Sequence, residues 1–344
     1  MPSESRRGHI KAWNRATLPM MIDSVQPADD APIAERLESL RIPLTGYCYR
    51  MLGGAGETED AVQETLLRAF RQFDSYDADR ARLTTWIHRI AHNVCVDILR
   101  SAQRRASPMD LSVLGEGASA NAFDDPVPPG TFVDPMPSAR LLTGSDPAAR
   151  VVAKESIRLA FVAALQTLTP RQRAVLILRD VLAFSALETA QILDVSTASV
   201  NSALQRARAE LAATSTSSRG LSDEEIASLA DRYARAFETH DVDGLIAVLH
   251  EDATTSMPPF RWWLRGGVTI ATLMGRSEAC AHDRLIGIDV NGQPGFGQFR
   301  PDDDGVLRPF ALIALEFRDG RIGHSTTFFG TEARFAEFGL PDQL

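Results

Sequence analysis

The chain has 344 residues, 44% hydrophobic and 24% charged, with a formal net charge of −9 at pH 7. That balance fits soluble folded units joined by linkers, and it excludes a protein that coats nucleic acid by bulk charge, because phosphate binding needs a local excess of cations. No apolar run is long enough to cross a bilayer, and Cys48, Cys95 and Cys280 are too scattered for a disulfide framework or a zinc cluster, so a cytoplasmic protein with no membrane contact and no cofactor is expected.

Residues 1–32 mix Arg, Pro, Asp and Ser without a secretory apolar stretch and read as a disordered lead-in. Residues 33–105 read as helices throughout. In GETEDAVQETLLRAFRQF, Val62, Leu66, Phe70 and Phe73 recur at helical spacing and predict a buried stripe, while Asp60, Gln63, Glu64, Arg68 and Arg71 fall on other faces. Glu64 and Arg68, four apart, also suit an intrahelical ion pair. In LTTWIHRIAHNVCVDILR, Ile87, Ile90, Val94 and Ile98 form the apolar stripe, leaving Arg89, Asn93, Asp97 and Arg100 together on another face. Trp86 is expected in the core. His88 and His92 have the spacing of metal ligands but no third ligand nearby, so no metal is expected.

Residues 106–149 are rich in Pro, Gly, Ser and Asp and read as a flexible linker. Helical periodicity resumes over 150–213, with Ile157, Phe161, Leu165 and Leu168 in one helix. Thr169-Pro170-Arg171-Gln172 marks the start of the next, by an N-cap hydroxyl, a proline at the first helical position and a glutamine reaching back. Two shorter helices, 185–193 and 197–211, are separated only by Asp194-Val195-Ser196 and form a helix-turn-helix candidate. Ala190 is the small residue at the helix contact, Asp194 takes the left-handed turn where glycine is usual, and Val200 with Leu204 locks the second helix. Ser199, Asn201, Ser202, Gln205 and Arg206 are left facing outward, able to bond base edges or phosphates, or simply to be a solvated face.

After a Ser/Thr-rich break at 214–220, residues 221–344 change character. Ser222 and Glu225 form a capping box, Ile226, Leu229, Tyr233 and Phe237 stripe the helix it opens, and a second helix spans 243–249. Strands are predicted over 284–290, 297–300, 308–317 and 321–329, with Arg318-Asp319-Gly320 as a hairpin turn. This unit is α+β.

The runs EDAVQETLLRAF, WIHRIAHNVCVDILR and LTPRQRAVLILRDVLAFSALETAQILDVSTASVNSALQRARAEL resemble, in order and spacing, regions two and four of extracytoplasmic-function RNA polymerase sigma factors. The resemblance implies two all-α domains, region two at 33–105 and a region-four helix-turn-helix at 150–213, that bring RNA polymerase core to promoter DNA. It implies that Asp60, Gln63, Glu64 and Arg68 face the clamp helices of the beta-prime subunit, with the beta subunit as a further partner. The loop 76–82 would capture an extruded base of the minus-ten element, with Tyr76, Arg80, Arg89, Asn93 and Arg100 as contacts, and the outward residues of the second helix-turn-helix helix would read the minus-thirty-five element. FETHDVDGLIAVLHEDATTSMPP and FRDGRIGHSTTFF resemble SnoaL-like domains of the cone-shaped nuclear-transport-factor and ketosteroid-isomerase superfamily. That likeness implies a regulatory C-terminal domain, with Asp252, Trp262, His282 and His324 as candidate lining of a small-molecule pocket. No catalytic constellation stands out, so the chain is not expected to be an enzyme. A stand-alone helix-turn-helix regulator with a ligand domain is the alternative, and it leaves residues 33–105 without a task.

Overall fold

The computed structural model describes residues 31–101, 126, 132–142, 153–214 and 221–344. The expected lead-in up to residue 30, and residues 106–125, 127–131 and 143–149 of the expected linker, lie outside them.

Among the described residues, the unit expected to be region two has four α-helices: α1 (Ile33–Glu38), α2 (Arg41–Leu52), α3 (Ala55–Arg71) and α4 (Leu83–Ser101). Tyr47, Cys48 and Met51 of α2, Ala61 and Val62 of α3 and Ile87, Val94 and Cys95 of α4 are buried together. Region four comprises α5 (Leu159–Thr167), α6 (Pro170–Leu176) running into a π turn at Ile177–Val181, then α7 (Ala186–Leu193) and α8 (Thr197–Thr214). Capping boxes open α6 (Thr169 with Gln172) and α7 (Ser185 with Glu188). The turn between α7 and α8 is made by Asp194, left-handed at φ 53° and ψ 54°.

The C-terminal unit opens with α9 (Asp223–Glu238) and α10 (Val242–Val248) and adds α11 (Gly267–Arg276). Its strands are β1 (Leu249–Ser256), β2 (Trp263–Arg265), β3 (Arg284–Val290), β4 (Gln293–Pro301), β5 (Leu307–Arg318) and β6 (Arg321–Phe329). They form one sheet in the order β2-β1-β6-β5-β4-β3, in which only β1 and β6 run parallel. The three helices cover one face, where Tyr233 stacks between Phe237 and Phe296 at ring separations of 6.2 and 6.1 Å. The β5–β6 turn is the expected one, with Asp319 and Gly320 both at positive φ.

The other sheet face is where the helical part docks. Val290, Phe299, Leu312, Ala314 and Phe328 share one buried cluster with Tyr49 of α2, Ile157 and Val162 of region four, and Val133, Met136 and Leu141 from the expected linker. The expectation of floppy chain therefore fails for 132–142, which is packed between region two, region four and the sheet. Composition misleads here because the apolar residues are spaced among prolines, which suit extended chain at a sheet edge; Pro137 bridges Val290 at the end of edge strand β3.

The plug in this joint is the β3–β4 hairpin. Asn291 and Gly292, at φ 52° and 75°, form the two-residue turn that needs positive φ at both central positions. A Cβ on Gly292 would stand 3.1 Å from the Lys154 carbonyl oxygen, so the tip approaches the helical part as closely as backbone allows. Asn291 Oδ1 accepts from Met136 N (2.8 Å), and Nδ2 donates to the Ile157 carbonyl (2.7 Å) and to Tyr49 Oη (2.8 Å). One buried amide thus ties three parts of the chain together.

Candidate polymerase and nucleic-acid interfaces

Along α3, Asp60, Gln63, Leu67 and Phe70 recur at spacings of three and four and all face solvent. Phe70, expected in the core, is 57% exposed and Leu67 43% exposed. The core side of α3 is instead small, built from Thr58, Ala61, Val62, Thr65 and Ala69, so the aromatic ring is displaced outward. Glu64 and Arg68 do pair within the helix, Nε to Oε1 2.6 Å, and Arg68 also reaches Asp97 at 3.7 Å. The exposed face therefore combines carboxylates with an apolar ridge of Leu67 and Phe70, of which Phe70 was expected in the interior.

On α4, Arg89, Asn93, Asp97 and Arg100 are exposed along one face, as expected. Before it, Tyr76 is half-buried in a ring cluster with Phe73 (5.6 Å) and Trp86 (5.4 Å), while Arg80 stands in solvent. Trp86, expected in the core, is half-buried and forms the floor under Tyr76.

In the helix-turn-helix, Val200, Ala203, Leu204 and Ala207 are buried, leaving Asn201, Ser202, Gln205 and Arg206 exposed on α8. Arg206 donates to Ser202 Oγ at 2.8 Å, and Ser199 accepts from Arg171. Arg208 is drawn aside by Asp180 (2.6 Å). The five candidate contacts thus occupy one helix and the five of region two another loop and helix.

The two candidate faces are held against each other. Arg82, at the end of the loop 76–82, pairs with Glu188 of α7, its Nε 3.0 Å from Oε1. Phe184 of region four packs on the His88 ring (5.0 Å), with Tyr47 on another side (5.6 Å). Arg50 of α2 reaches Ser156 (O at 3.0 Å, Oγ at 2.8 Å), and Arg173 of α6 reaches the Met51 carbonyl. Burial lowers both guanidiniums to about 10, so they stay charged at neutral pH among carbonyl and hydroxyl oxygens. A contact holding charges and amides exposes hydratable surface when it parts, unlike an obligate apolar interface.

The histidines make the contact acid-sensitive. His88 donates from Nδ1 to the Thr84 carbonyl (2.7 Å), and burial lowers it to about 4; His92, beside Tyr47 Oη, is lowered to about 4 by burial and then by Arg100. An unfolded histidine titrates near 6.5, so below that pH the unfolded chain binds protons that the folded one refuses. Stability is therefore complete above about pH 6.5 and is lost as pH falls toward 4, by up to ~3 kcal/mol for each ring. In denaturant titrations at pH 7.5 and pH 5, His88→Leu should lessen the acid-induced loss, with His92 and the other histidine that burial lowers, His324, left to carry the remainder. An undiminished loss in the variant would refute the assignment.

Of the four residues expected to line a pocket, Asp252 and His324 lie on the neighbouring strands β1 and β6, where Thr254 stands opposite His324. Asp252 on β1 is exposed beside Arg265 (3.9 Å), and His282 is exposed ahead of β3, four strands away in the sheet order. Trp262 is buried. His324 is held by hydroxyls, Nδ1 to Thr254 Oγ1 (2.7 Å) and Nε2 to Ser256 Oγ (3.2 Å) and Thr326 Oγ1 (3.0 Å), and burial lowers its pKa.

Comparison with known proteins accords with this geometry. The sigma-70 region 2 family model matches residues 37–105 and the sigma-70 region 4 model residues 158–211. The ECF RNA polymerase sigma factor SigG of Mycobacterium tuberculosis is 38% identical over 329 residues, spanning 93% of this chain and 87% of SigG. SigJ of the same organism is 30% identical over 303 residues, spanning 83% of this chain and 88% of SigJ. The crystal structure of M. tuberculosis SigJ is similar in fold, with a TM-score of 0.60 at 23% identity over 89% of this chain and 99% of that one.

Proposed function

Because this chain belongs to the extracytoplasmic-function family of RNA polymerase sigma factors, we propose that its α3 face docks on the polymerase clamp while α4 and α8 read the two promoter elements. The protein directs core polymerase to promoters for transcription initiation; the bond chemistry belongs to core. Asp60, Gln63, Glu64 and Arg68, together with Leu67 and Phe70, supply an acidic and apolar surface suited to a cationic helical partner. Tyr76, Arg80, Arg89, Asn93 and Arg100 are the minus-ten contacts: rings and guanidinium planes stack on extruded bases and cations follow the strand. Ser199, Asn201, Ser202, Gln205 and Arg206 are the minus-thirty-five contacts in the major groove.

The observation that carries this reading is that two polar reading faces, on separate helical regions, stay open to solvent beside an open apolar ridge. The readers must also separate. Elements about twenty-five base pairs apart lie ~85 Å apart along duplex DNA at ~3.4 Å per step. The packed readers lie within about 40 Å, the length of α4 plus a helix diameter. The C-terminal domain, built into the same core, regulates that separation. A stand-alone regulator would bind its duplex site without core. The test is run-off transcription from a library of promoter fragments with purified chain and core: strand opening and transcript are expected only with both present. Tight duplex binding by the chain alone, without transcript, would favour the regulator.

A further inference from the structure

The docking helix α3 begins badly by its own sequence. It is entered through Gly53-Gly54-Ala55-Gly56, and Gly54, the N-cap, has no side chain to bond the first amides. Each glycine also adds unfolded-state freedom that a helix start must overcome. The missing cap comes from the linker. Asp134 Oδ2 accepts from Ala55 N at 2.8 Å, Asp134 N donates to the Gly53 carbonyl at 3.0 Å, and the Asp134 carbonyl accepts from Tyr49 Oη at 2.6 Å. One turn further along α3, Glu59 is held by Arg140 of the same linker segment.

That segment is in turn held by the C-terminal domain. Met136 is bonded on both sides by Asn291, Gly292 N donates to Ser138 Oγ (2.6 Å), Arg334 donates to the Pro135 carbonyl (2.8 Å), and Arg140 reaches Glu337 (3.3 Å). We infer that Asp134 is a helix cap supplied from outside α3, and that the C-terminal domain, by holding the linker in place, orders the first turn of the polymerase-docking helix.

Asp134 and Asn291 are thus positioning residues: neither need touch polymerase, and each acts through α3. The inference rests on α3 being the docking surface. Aspartate and asparagine cap equally well, whereas alanine does not cap at all. Asn291→Gly keeps the positive-φ turn and deletes the side-chain bonds to Met136 of the linker, Tyr49 and Ile157.

The experiment uses the full chain, with affinity for core measured by fluorescence anisotropy and the amides of residues 55–60 followed by hydrogen exchange. Asp134→Ala is expected to weaken core binding about three- to thirty-fold, the range for losing one cap, and to speed exchange in that turn. Asp134→Asn should restore both, and Asn291→Gly should reproduce the defect in milder form. Wild-type affinity in Asp134→Ala, or an equal defect in Asp134→Asn, overturns the inference. If wild type itself fails to bind core, the docking reading falls, and unchanged exchange at 55–60 in Asp134→Ala would separately dispose of the cap.

Discussion

A chain carrying Arg82→Cys and Glu188→Cys, with Cys280→Ser to remove the one partly exposed native thiol, should lose transcription when the two new cysteines are joined through mixed disulfides by a short bis-methanethiosulfonate. Their side chains already meet across the contact between regions two and four, so a short spacer suffices, and Cys48 and Cys95 are buried away from the reagent. The joined chain keeps both reading faces exposed, yet it cannot spread them along the ~85 Å between the elements. Transcript is expected to fall to background, and adding thiol should return it to the level of the same variant before joining. Because cleavage regenerates the identical sequence, that recovery separates a locked geometry from damage to either reader. A locked chain that transcribes as well as its cleaved form would show that the readers need not part.

The second large effect concerns the ridge on α3. Leu67→Ala with Phe70→Ala should leave folding stability within about 0.5 kcal/mol, because both side chains lie largely in solvent in the free protein. Docked against a helical partner, the leucine and the aromatic ring each lose apolar area to the interface, so each costs about 1–2 kcal/mol when truncated. The pair should therefore weaken binding to core roughly thirty-fold or more. Glu64→Gln should do less, and its effect should fade with salt, because Glu64 is half-exposed and already paired with Arg68. Unchanged core affinity in the double alanine variant would remove the ridge from the interface.

The elements most legible in the sequence were those whose ends are set by local chemistry. The Thr169–Gln172 and Ser222–Glu225 boxes start helices where expected, and the polar spacing on α4 and α8 puts Arg89, Asn93, Asn201 and Gln205 on the surface. β1, β2 and α11 were not anticipated. His250-Glu251-Asp252 puts three polar residues in a row after Leu249 in β1, and that strand exists because β6 pairs with it in parallel from more than sixty positions away. Periodicity likewise could not say which of two apolar stripes on α3 meets the core; the bulk of Tyr47 and Met51 opposite decides that, and it favours alanine and threonine. The joint left two readable traces. Asn291-Gly292 is the strongest short hairpin signal there is, and Val133, Met136 and Leu141 are apolar residues that a solvated linker has no use for.

Asn291 also separates two properties that usually change together. Its backbone shapes the hairpin and donates to the Met136 carbonyl, tasks that aspartate or glycine performs as well, while its side-chain amide adds the bonds to Met136 N, Tyr49 and Ile157. A single codon change there loosens the tie between the C-terminal module and the helical part without touching the apolar cluster that packs them together. The strength of the joint is consequently adjustable by small evolutionary steps, without rebuilding either module.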